Sequence, residues 1–250
     1  MKIALLGYGR MGKAVEEVAL DRGHQVVARL DADGVGDDGS SRRKALTEAD
    51  VAIDFSIPGA VRRNVESAAA AGVNLVVGTT GWEEDQEAVE TAVREARVGL
   101  LHAPNFSLGV NLFLRVVKEA ARILDPFDEL DVHLMEAHHR HKVDHPGGTA
   151  RRLAEILVDS SSRKEGWSRE LPREGAVDPA TLQVAVVRAG EVFGTHSVGF
   201  DGTTDRIELR HEARGRRGFA HGSVVGAEWI RGREGVFSME DFLQEWIKGD

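Results

Sequence analysis

Lys2-Ile3-Ala4-Leu5-Leu6-Gly7-Tyr8-Gly9-Arg10-Met11-Gly12 is the stretch that decides the fold. Lys2–Leu6 reads as a short buried strand, and a G-x-G-x-x-G string follows at once. Residues 11–22 then read as a helix, with Ala14, Val15, Val18 and Ala19 on one face. Strand, glycine loop and helix in this order form the first half of a dinucleotide-binding βαβ unit. The first glycine permits the tight turn, the second lets a pyrophosphate approach the backbone, and the third lets helix and strand pack closely. The helix N-terminus supplies free N–H groups for the phosphates. Gly7, Tyr8, Gly9, Arg10, Met11 and Gly12 are therefore candidate cofactor contacts. Asp31 stands 19 residues after Gly12, at the end of the second strand, where a carboxylate accepts from ribose hydroxyls. A second acid, Asp33, follows where an NADP site usually places a cation. Arg10 or Arg29 would offset part of that charge. The reading favours NADH and leaves NADPH open.

Outward from the loop, short apolar runs alternate with helix-patterned stretches. Strands are expected at 25–30, 51–55, 74–78 and 98–103, with helices at 60–71 and 83–97. The pattern changes after Pro104. A long helix at 108–124 leads to an alternating strand at 130–137, a helix beginning near Thr149, and a polar loop at 159–178. Strands at 183–188 and 206–211 alternate as an antiparallel sheet with one covered face would. Residues 220–247 read as two helices. The fold class is α/β: a parallel, Rossmann-like domain followed by a mixed α+β domain.

Composition narrows the function. The 250 residues include 32 basic and 41 acidic side chains, for a net charge of −9, so the surface as a whole should repel nucleic acid and anionic membranes. With no cysteine, disulfides, thiolate ligands and a thiol nucleophile are excluded. The opening strand is too short for a signal peptide, and the longest uncharged run, 98–114, falls short of a spanning helix. A soluble cytoplasmic protein is expected.

Four of the ten histidines fall in Glu136-Ala137-His138-His139-Arg140-His141-Lys142-Val143-Asp144-His145, just before Pro146-Gly147-Gly148-Thr149-Ala150. Three readings compete. A metal site would draw on His138, His139, His141, Asp144 and His145, but adjacent histidines point apart, and the His141/His145 pair runs into a proline. A solvated polar loop is the plain alternative. An anion-binding catalytic site would use histidine as proton carrier, Arg140 and Lys142 as fixed charge, and the Gly147-Gly148-Thr149 helix start as N–H donors. Four cations against one acid between Arg140 and Arg152 favour the last reading in so acidic a chain. His196, His211 and His221 read as structural or surface residues. Asp54 reads equally as a loop-holding residue or a ligand contact.

These motifs resemble the 4-hydroxy-tetrahydrodipicolinate reductase (dihydrodipicolinate reductase) family over essentially the whole chain. The resemblance runs through Gly9–Gly12, Asp54-Phe55-Ser56, Gly78-Thr79-Thr80-Gly81, Ala103-Pro104-Asn105-Phe106-Ser107, the Glu136 to Lys142 run with Asp144, and Gly148-Thr149-Ala150. It continues in Arg188-Ala189-Gly190, Gly194-Thr195-His196 and Phe219-Ala220. It implies NAD(P)H-dependent reduction of a cyclic dicarboxylate imine in lysine biosynthesis by the diaminopimelate route. It further implies His138 as proton donor/acceptor, Lys142 as its assistant, and His139, Gly148 and Thr149 as carboxylate-binding groups. Gly78, Thr79, Thr80, Ala103, Pro104, Asn105 and Phe106 join the glycine loop and Asp31 as cofactor contacts, with no metal. A homotetramer built through the second domain's open, antiparallel-containing sheet is implied as well. The domain boundaries expected are 1–107 with 217–250 for the dinucleotide, and 108–216 for substrate and oligomerisation.

The chain departs from the family in a glycine loop one residue shorter, in Gly147 where the family has serine, and in His133 where an acid is common. Loss of the serine hydroxyl predicts a cost of roughly 0.5–1.5 kcal/mol at the carboxylate site. Two other functions fit the cofactor motif: a dehydrogenase for another small carboxylate, and a sensor that binds NADH without turnover.

Overall fold

The computed structural model describes residues 1–31 and 40–248; Asp33, read above as the second acid where an NADP site usually places a cation, lies outside the described residues. The chain divides into two compact units, Met1–Leu108 with Arg216–Asp250, and Gly109–Gly215.

In the first unit, β1 (Lys2–Leu6), α1 (Arg10–Asp21), β2 (Gln25–Leu30), α2 (Ser40–Leu46), β3 (Val51–Asp54), α3 (Pro58–Ala70), β4 (Asn74–Val77), α4 (Gln86–Ala96) and β5 (Gly99–His102) alternate as the apolar pattern requires. After the second unit the chain returns with α7 (Arg217–Ile230), β11 (Gly235–Phe237) and α8 (Met239–Lys248). The six strands lie in the order β11-β5-β4-β3-β1-β2, and every pairing is parallel. Strands covered on both faces must be apolar on both faces, which is why they read as continuous apolar runs. Ile3, Leu5, Val76 and Leu101 point into a core with Val15, Val18, Val224, Ile230 and Phe242 of α1, α7 and α8. Ala4, Leu6, Leu75, Val77 and Leu100 point the other way, against Val61, Val65, Val89 and Val93 of α3 and α4. Chain direction across the sheet reverses between β1 and β3, and the glycine loop stands at the carboxyl end of that switch point, where open α/β sheets bind ligands.

The second unit places α5 (Leu108–Leu124) and α6 (Gly148–Asp159) on one face of a five-stranded sheet. Its strands are β6 (Asp131–His138), β7 (Gly166–Ser168), β8 (Thr181–Arg188), β9 (Thr195–Asp201) and β10 (Arg206–Glu212), in the order β10-β9-β6-β8-β7. The sheet is mixed, which corrects the antiparallel expectation for 183–188: β8 runs parallel to β6, while β9 runs antiparallel to both β6 and β10. Along β6, Val132, Leu134, Glu136 and His138 share the covered face, so the apolar core turns polar toward the strand's end.

Three strands fall outside the expectations above. β7 lies in the stretch read as loop, β11 separates the last two helices, and β9 was not read at all. β9 carries Ser197 and Gly199, poor strand formers that are nonetheless buried. Gly199 is covered by the His133 ring, which a Cβ there would meet at 2.3 Å, so the unusual histidine packs against a bare backbone.

Helix α7 packs directly on the loop after β5. A Cβ on Gly222 would meet the Phe106 carbonyl oxygen at 1.7 Å. Gly222→Ala should therefore cost at least about 2 kcal/mol in urea unfolding, because backbone cannot yield as a side chain can. A variant as stable as wild type would show that this approach is not close.

Candidate active site

The first unit's candidate residues gather along the carboxyl ends of its strands. Gly7 has φ +87°, and a Cβ there would lie 2.4 Å from the Phe55 carbonyl oxygen, so the turn after β1 admits only glycine. Gly12 lets α1 start against the loop, since a Cβ would come 2.3 Å from the Gly7 carbonyl oxygen. Gly9, the N-cap, is exposed with open space around its Cβ position, and no side chain caps α1 among the described residues. The first-turn N–H groups thus face an open position suited to a pyrophosphate. This cradle fits a dinucleotide.

Beside it, Asp54 is fully buried and knits the ends of β3 and β4 together. Its Oδ1 accepts from the Ser56 N–H at 2.9 Å, the Ser56 hydroxyl at 2.7 Å and the Thr79 hydroxyl at 2.7 Å; its Oδ2 accepts from Asn64 Nδ2 at 2.7 Å. Arg42 donates to Asn64 Oδ1 at 2.7 Å from within the core. Asp54 is therefore a loop-holding residue. The Thr79 hydroxyl is used in the same network, whereas Thr80 and Pro104 are exposed at the rim. Asn105 Oδ1 accepts from the Ser107 N–H at 2.8 Å, and the Phe106 ring is buried edge-on against Phe55. Tyr8 donates its hydroxyl to Glu16, and Glu16 also takes both Arg29 Nε, at 3.1 Å, and an Arg29 Nη. The Arg29 guanidinium lies 5.8 Å from the Tyr8 ring centre.

The second unit's polar site is organised by Glu136, which has no exposed surface. Its Oε1 accepts from Arg188 Nη2 at 2.9 Å, and its Oε2 accepts from the Gly147 N–H at 2.8 Å. His138 Nδ1 stands 2.7 Å from Oε1, a close polar contact not aligned as a ring N–H hydrogen bond. Burial alone would raise the Glu136 carboxyl, but His138, the Gly147 N–H and Arg188 outweigh it and hold the group down to about 2. Glu136 is therefore ionised at neutral pH.

Gly147 is the N-cap of α6, whose start carries no side-chain cap among the described residues, so Gly148 and Thr149 present first-turn N–H groups to an anion. Lys142 Nζ donates to Asp144 Oδ1 at 2.7 Å, and that hydrogen bond lowers the Asp144 carboxyl. A Cβ on Gly147 would meet Lys142 Cε at 2.8 Å, so the lysine stem occupies the space a side chain at 147 would need. The His139 N–H donates to the Val192 carbonyl at 2.7 Å, fixing the backbone beyond β6.

The metal-ligand pool considered from sequence does not converge. His141 and His145 are exposed, and Asp144 is paired with Lys142. The set that does converge among the described residues is Glu136, His138 and His196, with one ligand atom of each within 4.8 Å of the others. Arg188 already occupies the same Glu136 oxygen, and its charge opposes a dication there. His196 is no peripheral histidine: β9 sets it opposite Glu136, buried, with its ring 5.3 Å from that of His138. Burial foremost, then the neighbouring His138, lowers its pKa to about 4. The sequence reads His196 as structural or surface; its burial beside Glu136 and His138 follows only from β9.

A parallel sheet with a phosphate cradle at its switch point, followed by a mixed sheet carrying a histidine beside an anion-binding helix start, defines a dinucleotide-dependent reductase of a small carboxylate. Residues 1–106 match the family model described as dihydrodipicolinate reductase, N-terminus, and residues 109–243 match its C-terminus counterpart. The chain is 36% identical over 248 residues to the 4-hydroxy-tetrahydrodipicolinate reductase of Christiangramia forsetii, covering 99% of this chain and 100% of the relative. It is 39% identical over 264 residues to that of Methanosarcina mazei, covering 96% and 98%. The dipicolinate-bound dihydrodipicolinate reductase from Paenisporosarcina sp. TG-14 shares the fold, with TM-score 0.76 and 23% identity over 97% of this chain and 99% of that one. The chain belongs to the dihydrodipicolinate reductase family.

Glu136 gives a pH signature. Its folded pKa, about 2, lies below the usual 4.5, so the unfolded chain takes up this proton first as acid is added. Its contribution to stability is complete above about 4.5 and is lost as the pH falls toward about 2. Urea unfolding of wild type and Glu136→Gln should show stability curves that converge as pH drops through this window. Parallel curves would contradict the assignment.

Proposed function

We propose that this protein is the NAD(P)H-dependent reductase that converts 4-hydroxy-tetrahydrodipicolinate to tetrahydrodipicolinate with loss of water, in lysine biosynthesis by the diaminopimelate route. The observation that carries the reading is the Glu136–His138 pair set beside the uncapped start of α6, in a chain related over its full length to named reductases of this substrate.

In this reading the first unit takes the dinucleotide and the second the dicarboxylate. Gly7 to Gly12, Asp31, Gly78 to Thr80 and Ala103 to Phe106 form the cofactor side, mostly through backbone, because Thr79 and Phe106 spend their side chains on the fold. Gly148 and Thr149 N–H groups, with His139, take the substrate carboxylates. Loss of the 4-hydroxyl as water leaves a conjugated cyclic imine. When bound, a reduced nicotinamide supplies the hydride that adds at C4. His138 delivers the balancing proton to the ring, and Lys142, held by Asp144, assists it. Glu136 keeps the His138 ring in place and offsets the positive charge it carries as an acid.

NADH is the favoured reductant. Asp31 directly follows β2, and Arg29, the nearby cation that a 2′-phosphate would need, is already bound to Glu16. A cytoplasmic location belongs to the same reading; no described helix is long and apolar enough to cross a membrane. The homotetramer implied by the resemblance would use the uncovered face of the second unit's sheet, where Met135 and Val187 are exposed.

The direct test is oxidation of NADH with substrate made in situ from pyruvate and aspartate semialdehyde by the preceding synthase. Turnover should require both precursors, and its absence despite NADH binding would favour another carboxylate or a sensor. Glu16→Gln should release Arg29 and raise kcat/KM with NADPH relative to NADH several-fold. An unchanged ratio would remove Arg29 from cofactor selection.

A further inference from the structure

His196 lies in the second unit's site without a role in the reaction as described. It is 4% exposed, and neither ring nitrogen has a hydrogen-bond partner among the described residues. Two unpaired nitrogens on a buried ring are costly, and a fold seldom keeps them without a use. The register of β9 puts His196 opposite Glu136 on β6 and opposite His211 on β10. Its ring meets the His138 ring edge-to-face, at 5.3 Å between centres and 74° between planes. Gly194, two residues earlier, leaves room on the other side: a Cβ there would lie 2.8 Å from His138 Nε2. His138 is thus held by Glu136 at Nδ1 and by the His196 ring, while the missing side chain at Gly194 leaves space beside Nε2.

We propose that His196 is a positioning residue for the reduction, a polar buried ring that fixes the orientation of His138 and stabilises its proton-carrying form. This rests on the reading that His138 carries the proton. The charged and titratable groups around His196 are Glu136 and His138 on β6, Lys142 on the following loop, and His211 on β10. Glu136 is ionised and Lys142 is paired with Asp144, so an uncharged His196 beside His138 leaves one mobile proton in the cluster. An imidazole dipole solvates the protonated neighbour as a hydrocarbon ring cannot. Metal binding by the same three residues is the weaker use, because Arg188 holds the carboxylate they would share.

The experiment compares His196→Phe, His196→Asn and His138→Gln in the coupled NADH assay across pH, with NADH affinity and urea unfolding measured in parallel. His138→Gln should lower kcat about 100-fold with NADH affinity near normal. His196→Phe should lower kcat about tenfold, leave the substrate KM within about twofold, and move the alkaline limb of the kcat profile to lower pH. His196→Asn, which keeps a polar group near the ring-nitrogen position, should restore part of kcat and return the limb toward wild type. Normal kcat and an unmoved limb in a folded His196→Phe would overturn the proposal. So would a loss of kcat that only tracks lost stability, with the limb unmoved and no rescue by asparagine. If His138→Gln retains full kcat, the reading of His138 fails instead, whatever the His196 variants do.

Discussion

The second unit depends on one buried charge. The Glu136 carboxylate touches three separate parts of the chain: Arg188 at the end of β8, the Gly147 N–H at the start of α6, and the His138 ring on its own strand. Each of these lies near a terminus, where loop motion would otherwise blur the geometry. A carboxylate with no exposed surface cannot turn to water for its hydrogen bonds, so the partners must come to it. The His138 ring and the start of α6 are thereby referred to the same point. Removing the charge would loosen both together.

The first unit shows the same economy at Asp54. A buried acid again ties strand ends together, here β3 and β4, so the rim that faces the dinucleotide is preset by hydrogen bonds from Ser56, Asn64 and Thr79. The side chains at this rim largely serve the fold, so what the rim leaves free is mostly backbone. That suits a pyrophosphate, which needs N–H groups and close approach more than specific side chains. Just beyond this rim, at the end of β2, Glu16 neutralises Arg29; the proposed preference for NADH rests on that pair.

Much of this was legible in the sequence. The parallel sheet announced itself because strands buried on both faces must be apolar throughout, and the glycine loop stood between a strand and a helix. The histidine segment was local, so His138, Lys142, Gly148 and Thr149 could be named from adjacency and resemblance alone. What was not legible came from pairing. β7 and β11 have three residues each and exist because a longer neighbour templates them. β9 has weak strand formers and a glycine roofed by His133, a contact between paired strands far apart in sequence. The setting of His196 depends on β9 pairing with β6, and that of Arg188 on β8 running parallel beside β6. Glu136 stood in plain view as a motif letter, but its part as the hub follows only from the three partners that the fold brings to it.

The most direct test of the account is a crystal structure of the protein with NADH and dipicolinate, a planar dicarboxylate of the substrate's shape. The account predicts one carboxylate within hydrogen-bond distance of the Gly148 or Thr149 N–H, the ring edge at His138, and Glu136 still bound to Arg188 and the Gly147 N–H. A dicarboxylate bound away from α6, or a Glu136 turned from these partners in the complex, would contradict it.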